Sequence, residues 1–327
     1  MSFRLFVRQL LASQFRNLPK FRGEGRLATF LQNRLTNYNV PEECLSIVEM
    51  RNGTRVQIDL RSNMHRHIFW RTESDDATLR VLASLLPVDA HMLDLGANVG
   101  YFTLPLARRL RAGGGKVYAF EPMLSNFQQL CSNVRLNGLE SVVETYNLAV
   151  GNATGIAQIT MDDAPNAESG NAFVQVDGEA RKANRRTMPV PVTTLDEWSA
   201  EQLLPRCDFI KIDIEGGEYS VFQAARSFLE EYRPIIFCEL NHRRMRKCHW
   251  TAEDLQALVR LSGYSMYHYQ RGSLLRGCVG GMKTEDVFLL PDERRAEVAG
   301  TLSGRLPQLN ELLRPQVVAP RPLAMAV

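Results

Sequence analysis

Seven residues, Asp94-Leu95-Gly96-Ala97-Asn98-Val99-Gly100, carry the clearest chemical signal in this 327-residue chain. The apolar pair Met92-Leu93 leads into them, and Tyr101, Phe102, Leu104, Leu106 and Ala107 follow. That pattern predicts strand, tight turn, helix: the entrance to a nucleoside-type site in a doubly wound sheet. A dinucleotide loop would read G-x-G-x-x-G. Here Asn98 replaces the middle glycine and Gly100 comes one residue early. A carboxylate at Asp94 would also repel a pyrophosphate. Glu121 follows Gly100 by 21 residues, where a carboxylate can accept hydrogen bonds from both hydroxyls of a ribose. S-adenosylmethionine has that ribose and no phosphate, and it carries a sulfonium and an ammonium. The loop fits such a cation better than a nicotinamide dinucleotide.

Asp94, Glu121, Asp213 and Glu239 each close a predicted strand. Ligands of an open parallel sheet bind beyond the carboxyl ends of its strands, so the four acids are expected to form one negative rim. A single acid there often caps the next helix; four in register point to a site. Glu215 and Glu218 flank Gly216-Gly217 and open a helix, where an acid favours the positive dipole end. That structural role is preferred for Glu218. Acids of this kind could also gather Mg²⁺, but no D-x-D or His-rich cluster accompanies them, and no metal site is assigned.

The elements that must position these residues begin at residue 91. Strands are expected at 92–95, 116–120, 142–150, 209–214, 235–239, 264–268 and 287–290, with helices between them. Such alternation means a mostly parallel sheet covered on both faces. Residues 151–195 break the rhythm. They hold strand-like pieces at 156–160, 172–176 and 188–192, with Arg181, Lys182, Arg185 and Arg186 among them, and are expected to form extra strands covering one end of the sheet. Upstream, Leu45–Met50 and Val56–Leu60 alternate about Asn52-Gly53, a hairpin signal, and His67-Ile68-Phe69-Trp70 is a candidate further strand. Residues 1–35 contain seven basic residues against Glu24 alone. Phe3, Phe6, Leu10 and Leu11 interleave with them at helical spacing, which suits either a membrane-surface helix or, more commonly, a helix packed on the domain with a solvated basic face.

A net charge of +3, with 45% hydrophobic and 23% charged residues, describes an ordinary globular chain and gives no reason to expect nucleic acid. No apolar run approaches the roughly 20 residues that span a bilayer. Cys44, Cys131, Cys207, Cys238, Cys248 and Cys278 show no C-x-x-C spacing, consistent with free thiols in the cytoplasm.

Together, Asp94-Leu-Gly-Ala-Asn-Val-Gly-Tyr-Phe-Thr103, Phe120-Glu121-Pro122, Asn126, Asn133, Asn137, Val192-Thr-Thr-Leu-Asp196 and Ile210-Lys-Ile-Asp-Ile-Glu-Gly-Gly-Glu218 resemble the FkbM-type methyltransferases. The resemblance covers roughly residues 65–290. It implies a class I methyltransferase, Rossmann-like fold: a seven-stranded mostly parallel sheet whose last strand is antiparallel. Around it are expected an N-terminal helix and hairpin extension over 1–64, the methyltransferase domain over 65–291 with its insertion at 151–195, and a partly disordered tail over 292–327. It implies S-adenosylmethionine as donor and a hydroxyl on a sugar, glycan or other small molecule as acceptor. An RNA methyltransferase and a non-catalytic cofactor-binding module are the alternatives. Arg71-Thr72-Glu73 departs from the glycine the family often has shortly before a glutamate. By position, Asp94, Gly96, Asn98 and Gly100 would wrap the methionine part, Glu121 the ribose, and Asn126 and Ala149 the adenine. An alcohol needs help in losing its proton, and Asp213, Glu215, Glu239 and His242 are the candidate bases.

Overall fold

The computed structural model describes residues 3–16, 18, 21–50, 52–71, 76–162, 173–174, 185–270, 273–277 and 284–304. The chain opens with helices α1 (Phe3–Arg16), α2 (Glu24–Leu35) and α3 (Pro41–Cys44), then a hairpin of β1 (Leu45–Glu49) and β2 (Arg55–Asp59). The Asn52-Gly53 turn forms as expected, with Gly53 at φ +75°. His67–Trp70 is not a strand. It lies in helix α4 (Asn63–Arg71), which buries His65, Ile68 and Phe69 at i, i+3, i+4 spacing. Trp70 packs edge-on against Phe15 of α1 and donates its indole N–H to Gln32 of α2 at 3.0 Å. Helical periodicity wins over the β-propensity of a short aromatic run.

After α5 (Asp76–Leu85) the expected alternation follows: β3 (His91–Leu95), α6 (Thr103–Leu110), β4 (Lys116–Phe120), α7 (Leu124–Leu136), β5 (Val143–Tyr146). The apolar run 142–150 then splits, because β6 (Ala149–Val150) leaves the main sheet. It joins β7 (Gly155–Asp162), β8 (Phe173–Val174) and β9 (Arg185–Thr193) in a four-stranded sheet, so the insertion is strand-rich. Arg181 and Lys182 lie outside the described residues. The chain resumes with α8 (Leu195–Glu201), β10 (Phe209–Ile212), α9 (Glu218–Gln223), α10 (Arg226–Tyr232), β11 (Ile235–Asn241), α11 (His242–Lys247), α12 (Ala252–Arg260), β12 (Tyr264–Gln270), β13 (Ser273–Arg276) and β14 (Thr284–Pro291). Residues 295–304, expected within the tail, form helix α13 (Arg295–Gly304), which packs on α5 and buries Val298 and Leu302.

The main sheet has eight strands in the order β13-β12-β14-β11-β10-β3-β4-β5, with β14 antiparallel to both neighbours. Seven match the expectation, and β13 adds an edge hairpin on β12. Side chains alternate cleanly between two apolar layers. Met92, Val117, Phe209 and Phe237 enter one, beneath α5, α6 and α7. Leu93, Tyr118, Ile210 and Cys238 enter the other, beneath α8, α9, α10 and α12.

Two asparagines fasten the N-terminal hairpin to this framework. Asn137 Oδ1 accepts from the Arg55 N–H at 2.9 Å and its Nδ2 donates to the Arg55 carbonyl at 2.6 Å. Asn133, one turn earlier on α7, does the same to Gln57 at 2.7 and 3.1 Å. Four helical residues rise about 6 Å and two strand residues about 6.6 Å, so an i, i+4 pair can serve alternate residues of one strand. Asn133 also donates to the carbonyl of Val99 at 2.8 Å, inside the glycine loop. Asn133→Ala is expected to cost about 2–4 kcal/mol, because buried backbone groups lose their partners. Asn137→Ala should cost less, since its Arg55 contacts are exposed. Denaturant midpoints would check both, and equal small losses would contradict this account.

Candidate active site

Register sets the depth of each acid. Lys211 pairs with Asp94 on one side and Phe237 on the other, and Asp94 pairs with Ala119. Glu121, Asp213 and Glu239 each stand two residues beyond that row, about 6.6 Å higher. Asp94 is accordingly 0% exposed and does not line the cavity above it. The expectation that it faces the ligand is corrected. It accepts from Thr103 Oγ1 at 2.6 Å, and Lys211 Nζ lies 3.2 Å from its Oδ1. The same ammonium donates to the Gly96 carbonyl at 3.2 Å and lies 3.8 Å from Asp213 Oδ2. Burial works to lower the Lys211 pKa, but Asp94 and Asp213 outweigh it and the net shift is upward.

Gly96 and Asn98 line the cavity above and Gly100 does not, and both glycines are packed closely against protein. A Cβ on Gly96, at φ +82°, would stand 1.9 Å from the Asp213 carbonyl oxygen. One on Gly100, at φ +96°, would press on Leu104 and Leu130 at 3.0 Å, so this glycine lets α6 and α7 pack closely. Asn98 takes φ +52° and gives its N–H to Glu121 Oε2 at 2.9 Å.

Above this layer lies a cavity of about 700 Å³, within the range of small-molecule sites. Sheet order places Glu121 of the β4 end and Glu239 of β11 three strands apart, about 14 Å. At the β4 side, Glu121, Met123, Asn126, Leu148 and Ala149 line the cavity. Glu121 Oε1 accepts from the Met123 N–H at 2.9 Å, with Asn126 Nδ2 at 3.5 Å. Burial pushes its carboxyl up to about 7 despite these bonds. Asp213, Glu215 and Glu239 line the other side with Tyr219 and Trp250, whose rings stack 5.8 Å apart. Burial, then Asp213, raise Glu215 to about 6, against Arg244 and Asn241, which hold its Oε2. Burial, then Asp213 and Asp286, push Glu239 up to about 8. Gly155, Ile156, Ala157 and Val192 of the inserted sheet line the cavity as well, as does Ile68 of α4.

One acid and one histidine fall elsewhere. Glu218 is fully buried and accepts from the Ile214 and Gly216 N–H groups at 3.3 and 3.2 Å, which closes the turn. His242 is not at the cavity. Its Nε2 meets Glu285 Oε2 at 3.1 Å, while His268 Nδ1 lies 2.8 Å from Oε1. Leu240 and Glu285 pair across β11 and β14, and Leu240 belongs to the layer opposite Phe237. By the same alternation His242 continues the wrong face of β11 for a base beside Glu239. Lys211 was the residue overlooked: a lone lysine inside the apolar run 209–214 demands a buried partner.

Lys211→Met is expected to destabilise the fold by about 3–5 kcal/mol, because it strands a buried carboxylate, and Asp94→Asn added to it should recover part of the loss. Calorimetric unfolding would show it; a double variant no better than the single would refute the pairing. The raised carboxyls also give a sign to pH dependence. Glu121, Glu218 and Glu239 hold protons in the folded state that the unfolded chain releases near 4.5. Their contribution is complete below that value and is lost as pH rises through about 7 to 8. The Tm of the ligand-free protein should therefore fall toward about pH 8.5, and Glu239→Gln should flatten the decline.

Comparison with known proteins supplies context for this geometry. A model of the methyltransferase FkbM domain matches residues 94–266. The AMB antimetabolite synthetase AmbE of Pseudomonas aeruginosa is 25% identical over 261 residues, covering 70% of this chain and 12% of that protein. The methyltransferase sdnD of Sordaria araneosa is 26% identical over 162 residues, covering 42% of this chain and 61% of that protein. The chain thus spans less than two thirds of either relative. The crystal structure of methyltransferase FkbM from Methylobacillus flagellatus superposes with a TM-score of 0.40 at 18% identity, covering 88% of this chain and 59% of that one.

Proposed function

We propose that this protein, which belongs to the methyltransferase FkbM family, transfers a methyl group from S-adenosylmethionine to a hydroxyl oxygen of a sugar or similar small acceptor. The observation that carries this reading is the charge of the cavity: Asp213, Glu215 and Glu239 crowd one side, and burial with mutual repulsion holds Glu215 and Glu239 above their ordinary range. A cationic ligand relieves that repulsion, whereas a phosphate would add to it. Glu121 fits the ribose. Its Oε2 accepts one backbone N–H and keeps a lone pair for a ribose hydroxyl, while Oε1 accepts from the Met123 N–H and the Asn126 amide. Met123, Leu148 and Ala149 offer apolar surface to an adenine, with the Asn126 amide beside it.

Bound there, S-adenosylmethionine supplies an electrophilic methyl group on a cationic sulfur. The chain's own residues supply alignment and a base. Methyl transfer needs donor and acceptor in line, and holding them so removes much of the barrier. Glu239 lines the cavity with a carboxyl near the working pH, where a general base is most effective. It takes the proton of the acceptor hydroxyl as the oxygen gains the methyl. Asp213, between Glu239 and the glycine loop, keeps the base from ionising too readily and adds to the field that favours a cation. Glu215, held by Asn241 and Arg244, would accept from a second acceptor hydroxyl. The stacked Tyr219 and Trp250 offer a flat wall of the kind that suits the C–H face of a sugar ring.

Glu239→Gln should lower kcat about a hundredfold or more, with a smaller loss of cofactor affinity. Asp213→Asn should also lower kcat, and His242→Gln should leave it near wild type. In the wild type kcat should rise with pH as Glu239 ionises. Titration calorimetry with S-adenosylmethionine and S-adenosylhomocysteine is the first check, followed by turnover on a panel of hydroxylated acceptors. Absence of binding by either nucleoside would remove the proposal; binding with undiminished turnover in Glu239→Gln and Asp213→Asn would remove the base assignment alone.

A further inference from the structure

Nearly half of the exposed large apolar side chains among the described residues fall between Phe6 and Phe30. They share that stretch with arginines. Helix α1 is committed to the domain through one face: Ala12 and Phe15 are buried, and Arg8 is buried and donates to Thr36, Ser46 and the Glu43 carbonyl. Its other face turns Phe6 (51% exposed) and Leu10 (50%) to solvent at i, i+4. Helix α2 buries Gln32 and turns out Leu27 and Phe30 (56%) with Arg26 and Arg34, and Arg34 lies over the Phe30 ring. Phe21 and Arg22, just before α2, repeat the pairing, and Arg4 is exposed on α1.

We infer that the outward faces of α1 and α2 dock this protein on an anionic lipid surface. A purely solvated basic face would not carry two phenylalanines and two leucines at helical spacing. Apolar side chains among arginines are what a bilayer interface selects: the former enter the headgroup boundary, and the latter meet lipid phosphates. A second copy of the chain fits less well, because a two-fold contact would set these arginines against themselves. No described helix is long and apolar enough to cross a membrane. The inference is independent of the proposed reaction.

Co-sedimentation of the full chain with vesicles tests it. Vesicles of phosphatidylcholine with phosphatidylglycerol should retain the protein, vesicles of phosphatidylcholine alone should not, and about 0.5 M salt should release it. An arginine near an anionic surface contributes about fivefold. Arg26→Glu with Arg34→Glu should therefore weaken retention by about twenty-five-fold or more. Leu10→Asp with Phe30→Asp should weaken it about tenfold or more with an unchanged circular dichroism spectrum. Equal retention with and without anionic lipid, or retention unaltered in both variants, would overturn the inference. So would light scattering that shows a wild-type dimer split by Phe30→Asp.

Discussion

The buried pair of Asp94 and Lys211 is the constraint around which the site is arranged. It joins the carboxyl ends of two adjacent central strands, and through the Gly96 carbonyl it also fixes the first turn of the loop. Such a pair is costly to desolvate and is a weak source of stability. Its value is position. With the ammonium satisfied by Asp94, Gly96 and, more distantly, Asp213, the β10 end stays level with β3, and the Asp213 carbonyl comes so close to Gly96 that no side chain fits there. Everything above inherits that spacing: Asn98 turned toward Glu121 on one side, Asp213 and Glu239 side by side on the other.

Much of this was legible in the sequence, for reasons that can be located. The glycine loop, the strand-ending acids and the alternating apolar segments are local patterns, and local patterns survive folding when each agrees with the whole. The face of each acid was legible too: 94, 121, 213 and 239 share parity with Met92, Ala119, Phe209 and Phe237. The same count applied to β11 puts His242 on the other face, and could have excluded it as a base. Depth was not legible. Asp94 lies one pleat below its companions because of the register between β3 and β10, which no single strand encodes. Nor does a short aromatic run disclose whether it is strand or helix; the packing of Trp70 on α1 and α2 decides that for α4.

The N-terminal segment is less separable from the main sheet than a boundary near residue 64 suggests. Asn133 holds the Gln57 backbone and the Val99 carbonyl with one buried amide, so the hairpin and the loop share a support. Ile68 of α4 reaches the cavity wall, and the inserted sheet covers another side. A loop supported from both sides in this way can keep Asn98 at a positive φ and still present its N–H to Glu121.

On the proposed reading, the charge balance of the cavity ties binding to chemistry. Without a ligand, burial and crowding favour a protonated Glu239, a carboxylic acid that cannot accept a proton. On the proposed reading, a cation placed against Asp213 and Glu239 offsets the repulsion that raises the latter, and the carboxyl ionises as the site fills. The base then becomes competent mainly when the methyl donor is present. The same coupling runs in reverse by linkage: ionising Glu239 must tighten the hold on the cation by the same free energy. The acids would thus stabilise the donor and prepare the acceptor through a single titration.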